Sequence, residues 1–423
     1  MQQGNQVATK ITASWKNLDE SRHNRPVIVL YLHSSDDLYG ADIVLLQIVS
    51  GLDRTRFTPV VILPSDMKHV GLLSAKLSAL GIEWTHLPLA IVRRRYLRPS
   101  GILLFLLNLV RGTWALRRLA LQRHVRLIHG FTLAVAAAPF AAIFLPCPLI
   151  MHAHEILLRP KWLRKLLHLL SVRWSSRVIC VSEATRRNIV EDRCSASNRI
   201  CVLRNGVDPP VTSPRAIAEL RAELGVPMDT KLVGMIARVS PWKGQEVFLE
   251  AAAIVRTKNP DCHFVAIGGV FDKEFQHLDR ILRLHKRLHL NDCVTLCGFM
   301  PNARDMLPAF DLFISPSTSP DPFPTVILEA MRTGVPVIAS AHGGPLEMIE
   351  DGVTGVLVPP GDSHALAGAI DALLLDPHRR HQIGEAGQIL VQETFALAAF
   401  LNKLQGLYTE VLAGHSPVVG KRS

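Results

Sequence analysis

Three observations predict an α/β chain built from two doubly wound halves. Short β-branched runs alternate with helical patterns, the alternation breaks once near residue 210 and restarts, and 423 residues suit two domains. Val27 to Leu32 is the first apolar run, and a helical pattern follows from Asp42 through Val49. Phe57 to Leu63 reads as a strand, and Gly71 to Leu80 as a helix that Gly81 ends. Further strands are expected at Leu127–His129, Leu149–His152 and Val178–Val181. Asn205-Gly206-Val207-Asp208-Pro209-Pro210 then breaks any regular element.

The second series opens with a strand at Lys231–Arg238 and a helix at Gly244–Lys258. A strand at His263–Gly268 and a helix at Phe275–Leu288 follow. Strands come next at Val294–Leu296, Leu312–Ser315, Val335–Ala339 and Gly355–Val358, before an amphipathic helix from Phe395 to Leu412. The expected layout is a polar leader (1–26), a first Rossmann-like domain (27–208) and a second (209–395). A helix and tail (396–423) complete it, with a return to the first domain open to that helix. Ligands on such sheets bind at the carboxyl ends of the strands, so two facing halves form a cleft.

Composition narrows the class. Hydrophobic residues make up 48%, enough for a sizeable core, and aromatic residues only 6%, too few for a stacking platform for single-stranded nucleic acid. Seven scattered cysteines, at 147, 180, 194, 201, 262, 293 and 297, include no C-x-x-C pair; they read as buried thiols in a reducing compartment. The first 25 residues hold no apolar core of the signal-peptide type. The longest apolar run, Ile102 to Val110, is under half the ~20 residues that span a bilayer. A cytoplasmic chain with no transmembrane helix is expected.

Net charge of +11 hides an asymmetry. Residues 1–210 carry 28 Lys+Arg against 13 Asp+Glu, and residues 211–423 carry 19 against 23. Residues 91–128 hold nine Arg and no acid, with Trp114; residues 156–187 hold eight Lys/Arg against one acid, with Trp162 and Trp174. Basic residues interleaved with Leu and Trp describe a segment lying on anionic lipid. The competing reading is a core-packed helix with a solvated cationic face.

Three constellations carry chemistry. Arg238-Val-Ser-Pro-Trp-Lys243-Gly244 places two cations in a strand-to-helix loop that can face a diphosphate, or is an ordinary solvated loop. Ser315 to Met331 runs from a strand through a Pro/Ser loop into a helix, with Asp321 in the loop and Glu329 in the helix. Carboxylates there accept hydrogen bonds from vicinal hydroxyls; alternatively Asp321 or Thr325 only caps the helix. Gly343-Gly344 ends a buried strand and lets backbone approach a ligand, or is only a tight turn.

Taken together these stretches resemble the retaining glycosyltransferases of family four, which have the GT-B fold. Asn205-Gly-Val-Asp208, Gly234-Met-Ile-Ala-Arg238, Lys243-Gly244, Gly298-Phe299 and Asp321 to Met331 carry the likeness. Gly343-Gly344, Asp351-Gly-Val-Thr-Gly355 and Pro359-Pro-Gly-Asp362 complete it. The resemblance spans about residues 27–412 and is sharper after residue 200. It implies that Arg238 and Lys243 bind the donor diphosphate and stabilise the leaving nucleoside diphosphate. It implies that Glu329 holds the ribose and that Asp321, where Glu is commoner, contacts the donor sugar. Backbone at Thr325 and Val326 would approach sugar or phosphate, and backbone near Phe299 and Met300 the base.

In the first half, Tyr39-Gly40-Ala41-Asp42 resembles the family's glycine-rich loop, with Tyr39 in one glycine's place and Gly40 left to approach phosphate. His152-Ala-His154-Glu155 resembles the strand-end histidine near the reaction centre; its spacing from Pro148 selects His154. Strand alternation puts both histidines on one face. A two-histidine metal site is the rival, but no third ligand lies nearby in sequence. No D-x-D motif occurs, so no metal or other cofactor is expected, and Arg238, Lys243 and helix N-termini would neutralise the diphosphate.

The resemblance therefore implies transfer of a sugar from a nucleotide-sugar donor to a glycan acceptor. A lipid-linked acceptor at the inner face of the membrane follows from the basic first half, in bacterial surface polysaccharide or lipopolysaccharide synthesis. The resemblance implies retention of configuration, and with no obvious carboxylate nucleophile on the acceptor side it implies same-face substitution. Two other readings stand beside it: a nucleotide-sugar epimerase of the same shape, and a non-catalytic basic module for membrane or nucleic acid. No nucleic-acid partner is expected under the first reading.

Overall fold

The computed structural model describes residues 26–67, 71–93, 96, 99–145, 147–192, 197–208, 217–270 and 275–415. The expected leader, apart from Pro26, lies outside these residues, as do Cys194, Pro209 and Pro210.

The first half alternates β1 (Val27–Leu32), α1 (Gly40–Gly51), β2 (Phe57–Pro64), α2 (Leu72–Ala79) and β3 (Glu83–Leu87). It continues with α3 (Pro99–Gln122), β4 (Leu127–Gly130), α4 (Ala137–Ile143), β5 (Leu149–Ala153) and α5 (Lys161–Trp174). It ends with β6 (Arg177–Cys180), α6 (Glu183–Val190) and β7 (Ile200–Val202). The second half begins with α7 (Ile217–Glu223), β8 (Lys231–Ile236), α8 (Gln245–Arg256), β9 (Cys262–Ile267), α9 (Phe275–Arg287), β10 (Val294–Cys297) and β11 (Leu312–Ser315). Then come α10 (Thr325–Arg332), β12 (Val337–Ser340), β13 (Val356–Val358), α11 (Ser363–Leu375), α12 (Pro377–Thr394) and α13 (Leu397–Ala413).

Two parallel sheets result. Seven strands run in the order β3-β2-β1-β4-β5-β6-β7, and six in the order β10-β9-β8-β11-β12-β13. Both faces of each sheet are covered, which is why the strands read as apolar runs. Along β1, Leu30 and Leu32 enter one core, whereas Val29 and Tyr31 enter the core on the opposite face. The strand order reverses between β1 and β4 in the first sheet and between β8 and β11 in the second. Crevices at such reversals are where open α/β sheets take ligands. The loops leaving β1, β8 and β11 are those that carry Gly40, Arg238 and Asp321.

The chain crosses between sheets twice, side by side. The N–H of Val207 donates to the Phe395 carbonyl at 2.8 Å. A Cβ on Gly206 would lie 2.6 Å from Leu397 Cα, so only glycine lets the two crossings touch. Beyond the crossing, α13 packs against the first sheet. Its buried Tyr408 hydroxyl lies 2.9 Å from the Tyr31 hydroxyl and 2.6 Å from His129 Nδ1.

A second tie joins the halves. Glu347, on a 3-10 turn of the second half (Gly344–Glu347), accepts from the N–H groups of Glu183 at 3.0 Å and Ala184 at 2.9 Å. Ser182 Oγ accepts from the next N–H, Thr185. The first turn of α6 is thus satisfied, partly by a carboxylate from the other half. Glu347 also pairs with Arg204 at 2.9 Å. Glu347→Ala is expected to cost about 1–2 kcal/mol, the value of a charged helix cap. Urea unfolding reads this, and an unchanged midpoint would contradict it.

One expected strand start needs correction. The strand expected from Val335 starts at Val337, because Gly334 turns at φ 77° and Pro336 has no N–H to give to a ladder. Helix α3 packs on the core through Leu116 and Ala120, with Phe105, Leu109 and Leu119 against them, while Leu103, Val110 and Trp114 point outward beside its exposed arginines.

Candidate functional site

The site begins with the loop from β8 to α8. Gly244 takes φ 82° at the start of α8, and a Cβ there would lie 1.8 Å from the Pro316 carbonyl oxygen. Glycine therefore lets this loop lie directly on the loop after β11, where the Thr318 N–H donates to the Trp242 carbonyl at 2.8 Å. That contact delivers Lys243 to Asp321: Lys243 Nζ is 2.6 Å from Asp321 Oδ2 and 4.3 Å over the Trp242 ring. Asp321 is buried, and its carbonyl accepts from the Gly344 N–H at 2.7 Å. The double glycine therefore braces the acid from behind, with Gly343 at φ 67°.

Helix α10 starts at Thr325, with Pro324 before it and no side-chain cap, so neither Asp321 nor Thr325 is a mere helix cap. The capping alternative is set aside because the Asp321 carboxylate is spent on Lys243. Thr325 is buried and Val326 half-buried at this N-terminus. Glu329 follows on the second turn at 6% exposure. Arg304 Nη2 lies 2.9 Å from its Oε1, outside hydrogen-bonding geometry, and neither carboxylate oxygen accepts a hydrogen bond within the described residues. A buried carboxylate held this way is costly without a ligand to satisfy it.

The first half supplies the opposite wall. Tyr39 precedes α1, and its N–H donates to Asp42 Oδ2 at 2.8 Å. Its ring crosses to the second half, 5.7 Å from the Arg238 guanidinium carbon and 6.2 Å from the Phe299 ring. A cavity of about 510 Å³ opens here, between Asp37 and Tyr39 on one side and Gly268, Gly269, Gly298 and Phe299 on the other. Burial, then the neighbouring Asp42, push the Asp37 carboxyl up to about 6, against the pull of Arg238. Gly40 is exposed, with open space where a Cβ would stand, and Met300 is half-buried beside Phe299.

His152 and His154 do share a face, with ring centroids 4.2 Å apart. His152 is fully buried and stacks on His129 at 5.3 Å, whereas His154 is half-buried at the strand end beside Phe131 at 4.5 Å. Of the pair, only His154 is partly exposed, and its Nε2 is buried without a hydrogen-bond partner among the described residues. Beside it, Glu155 accepts from the His154 N–H at 3.0 Å and from Thr132 Oγ1. Burial raises the Glu155 carboxyl to about 7. No group of three or more His, Cys, Asp or Glu among the described residues is arranged to hold a metal.

Burial holds His129 down to about 3, and His152 and His154 well below the usual range, so all three are neutral at pH 7. The unfolded chain protonates them near pH 6.5, so each loses stability as pH drops below 6.5, His129 down to about pH 3. Glu155 acts oppositely between its unfolded value near 4.5 and about 7, losing stability as pH rises. Two fully buried rings outweigh one acid, so acid unfolding is expected to set in below about pH 6.5. His129→Phe should shift that onset downward in pH-dependent melts.

Of the residues expected from the sequence, the structure brings Lys243 to Asp321 and Arg238 to the Tyr39 ring, and it adds three neighbours that no motif announced. Arg304 sits in no motif, Asp37 is set by a fold contact, and Tyr39 was read only as a glycine replacement.

The family described as "Glycosyl transferases group 1" matches residues 216–389, and "Glycosyltransferase Family 4" matches residues 38–210. Anabaena Alr3699/HepE, solved with UDP and glucose, has a TM-score of 0.79 and 26% identity, covering 91% of this chain and 100% of that one. D-inositol 3-phosphate glycosyltransferase of Corynebacterium glutamicum is 32% identical over 229 residues, 52% of this chain and 53% of the relative. Alpha-D-kanosaminyltransferase of Streptomyces kanamyceticus is 33% identical over 196 residues, 46% of this chain and 49% of the relative. The chain thus spans about half the length of the curated relatives it matches. The matches on both halves, with two facing parallel sheets of GT-B type, place this chain in the group 1, family 4 glycosyltransferases.

Proposed function

We propose that the chain moves a sugar from a nucleoside diphosphate sugar to a glycan acceptor with retention of configuration. The carrying observation is the meeting of Lys243 with Asp321 at the reversal of the second sheet, on the loop that also bears Arg238. Arg238 and Lys243 take the diphosphate; each charged hydrogen bond is worth roughly 1.5–3 kcal/mol. Lys243 turning to phosphate frees Asp321 for the sugar hydroxyls. Glu329, whose two oxygens accept no hydrogen bond among the described residues although Arg304 lies beside Oε1, accepts the ribose hydroxyls. Thr325 and Val326 offer the N–H groups of the α10 N-terminus, and Phe299 and Met300 flank the base. Gly40 lets the first half close on the phosphates, and His154 meets the donor sugar. Helix N-termini and the two cations neutralise the leaving group without a metal.

The acceptor hydroxyl attacks C1 on the face the diphosphate leaves, and a phosphate oxygen takes its proton. Glu155 is not the nucleophile, because Thr132 and the backbone already hold its carboxylate. HepE's bound UDP-glucose supports a uridine donor. The basic first half supports an acceptor carried on lipid at the inner membrane face, as in bacterial surface polysaccharide or lipopolysaccharide assembly. Incubation with UDP-sugars and membrane acceptor should release UDP and keep the anomer by NMR. Inversion, or an epimerised sugar formed without acceptor, would defeat the proposal.

A further inference from the structure

More than half of the exposed large apolar side chains among the described residues fall between Ile102 and Trp174. All but Phe144 and Leu158 lie on α3, α4 and α5, three helices that touch in sequence along one side of the first sheet. On α3, Leu103, Leu107, Val110, Trp114 and Leu121 recur at helical spacing on the outward face, a stripe about 27 Å long. Phe144, just after α4, is 59% exposed, and Trp162 on α5 is 63% exposed. Isolated exposed apolar residues are ordinary, but a stripe over three adjoining helices is not.

The charge on this layer has one sign. Neither α3, α4 nor α5 contains an Asp or Glu. Arg111, Arg118, Lys161, Lys165 and Arg173 are exposed, and none pairs with a carboxylate among the described residues. Arg117 and Arg173 lie over Trp114 and Trp174 at 5.5 and 4.7 Å, which keeps the rings beside cationic heads. No helix is long and apolar enough to cross a membrane among the described residues. A second copy docking here would set cations against cations, which disfavours self-association.

We infer that the outward face of α3, α4 and α5 docks on one leaflet of an anionic bilayer, with leucine and tryptophan in the interface and arginine and lysine on the headgroups. This deepens, and rests on, the reading of a lipid-carried acceptor. Only six residues lie between His154 and Lys161 at the start of α5, so the docked face is one short loop from the first-half wall of the cleft. A lipid-anchored acceptor would then enter the cleft along that edge, while the second half stays in water for the donor.

Vesicle flotation of the full chain tests this with phosphatidylcholine alone and with phosphatidylcholine–phosphatidylglycerol, neither containing acceptor. The chain should float with the anionic vesicles and much less with the neutral ones. Arg118→Ser, Lys161→Ser and Lys165→Ser together should weaken partitioning about a hundredfold, at roughly fivefold per basic residue. Trp114→Ser with Trp162→Ser should do so at any salt. Both variants should keep the wild-type thermal shift with UDP, since none of these residues belongs to the donor site. No flotation by a chain that still binds UDP overturns the docking face and leaves the donor reading standing. Wild-type flotation by both variants overturns it too, as does concentration-dependent dimerisation that the tryptophan variant abolishes.

Discussion

Lys243→Ala is expected to lower donor turnover about a hundred- to a thousandfold, the range for removing one preorganised donor from a developing anion. Its effect on stability is separate. Lys243 Nζ is 2.6 Å from a buried Asp321 carboxylate, so its loss leaves that charge unpaired, at about 1–3 kcal/mol. The lysine is partly exposed, which keeps the cost toward the lower end. The double variant Lys243→Ala, Asp321→Asn should recover most of the stability and none of the turnover. Urea unfolding with steady-state UDP release reads both. A double variant that regains turnover would show the lysine to be structural only.

Glu329→Gln is expected to weaken donor binding about tenfold or more, because the amide keeps one acceptor oxygen and loses the charge. Stability of the unliganded chain should change little, since the carboxylate accepts no hydrogen bond and its ion-pair partner Arg304 is partly exposed to water. A binding loss without a stability loss is the mark of a residue kept for its ligand. Calorimetric UDP titration with urea unfolding measures them. Intact UDP affinity beside a stability loss above about 2 kcal/mol would assign Glu329 to its Arg304 pair instead.

Much of the second half was legible because its chemistry is local. Gly244, Asp321, Gly343 and Glu329 stand where a turn, a loop end or a helix start demands particular residue types, and short spacings carry that information. The first half was less so. Edge strand β3 (Glu83–Leu87) is largely exposed and shows no apolar alternation, and β7 (Ile200–Val202) is only three residues long. The Tyr31–Tyr408 and Glu183–Glu347 contacts join positions far apart in sequence, where no local pattern can announce them. Tyr39 looked like a lost glycine until the second sheet stood opposite and gave its ring Arg238 and Phe299. The run from Ile102 to Val110 was visible as apolar and basic. Its direction, outward on α3, depended on which face Leu116 and Ala120 gave to the core.

A crystal structure of the chain with UDP tests the donor cradle most directly. The diphosphate should lie between Arg238 and Lys243, the ribose hydroxyls on Glu329, and Lys243 should turn from Asp321 toward phosphate. UDP bound elsewhere, or bound with the Lys243–Asp321 pair intact and Glu329 untouched, would contradict it.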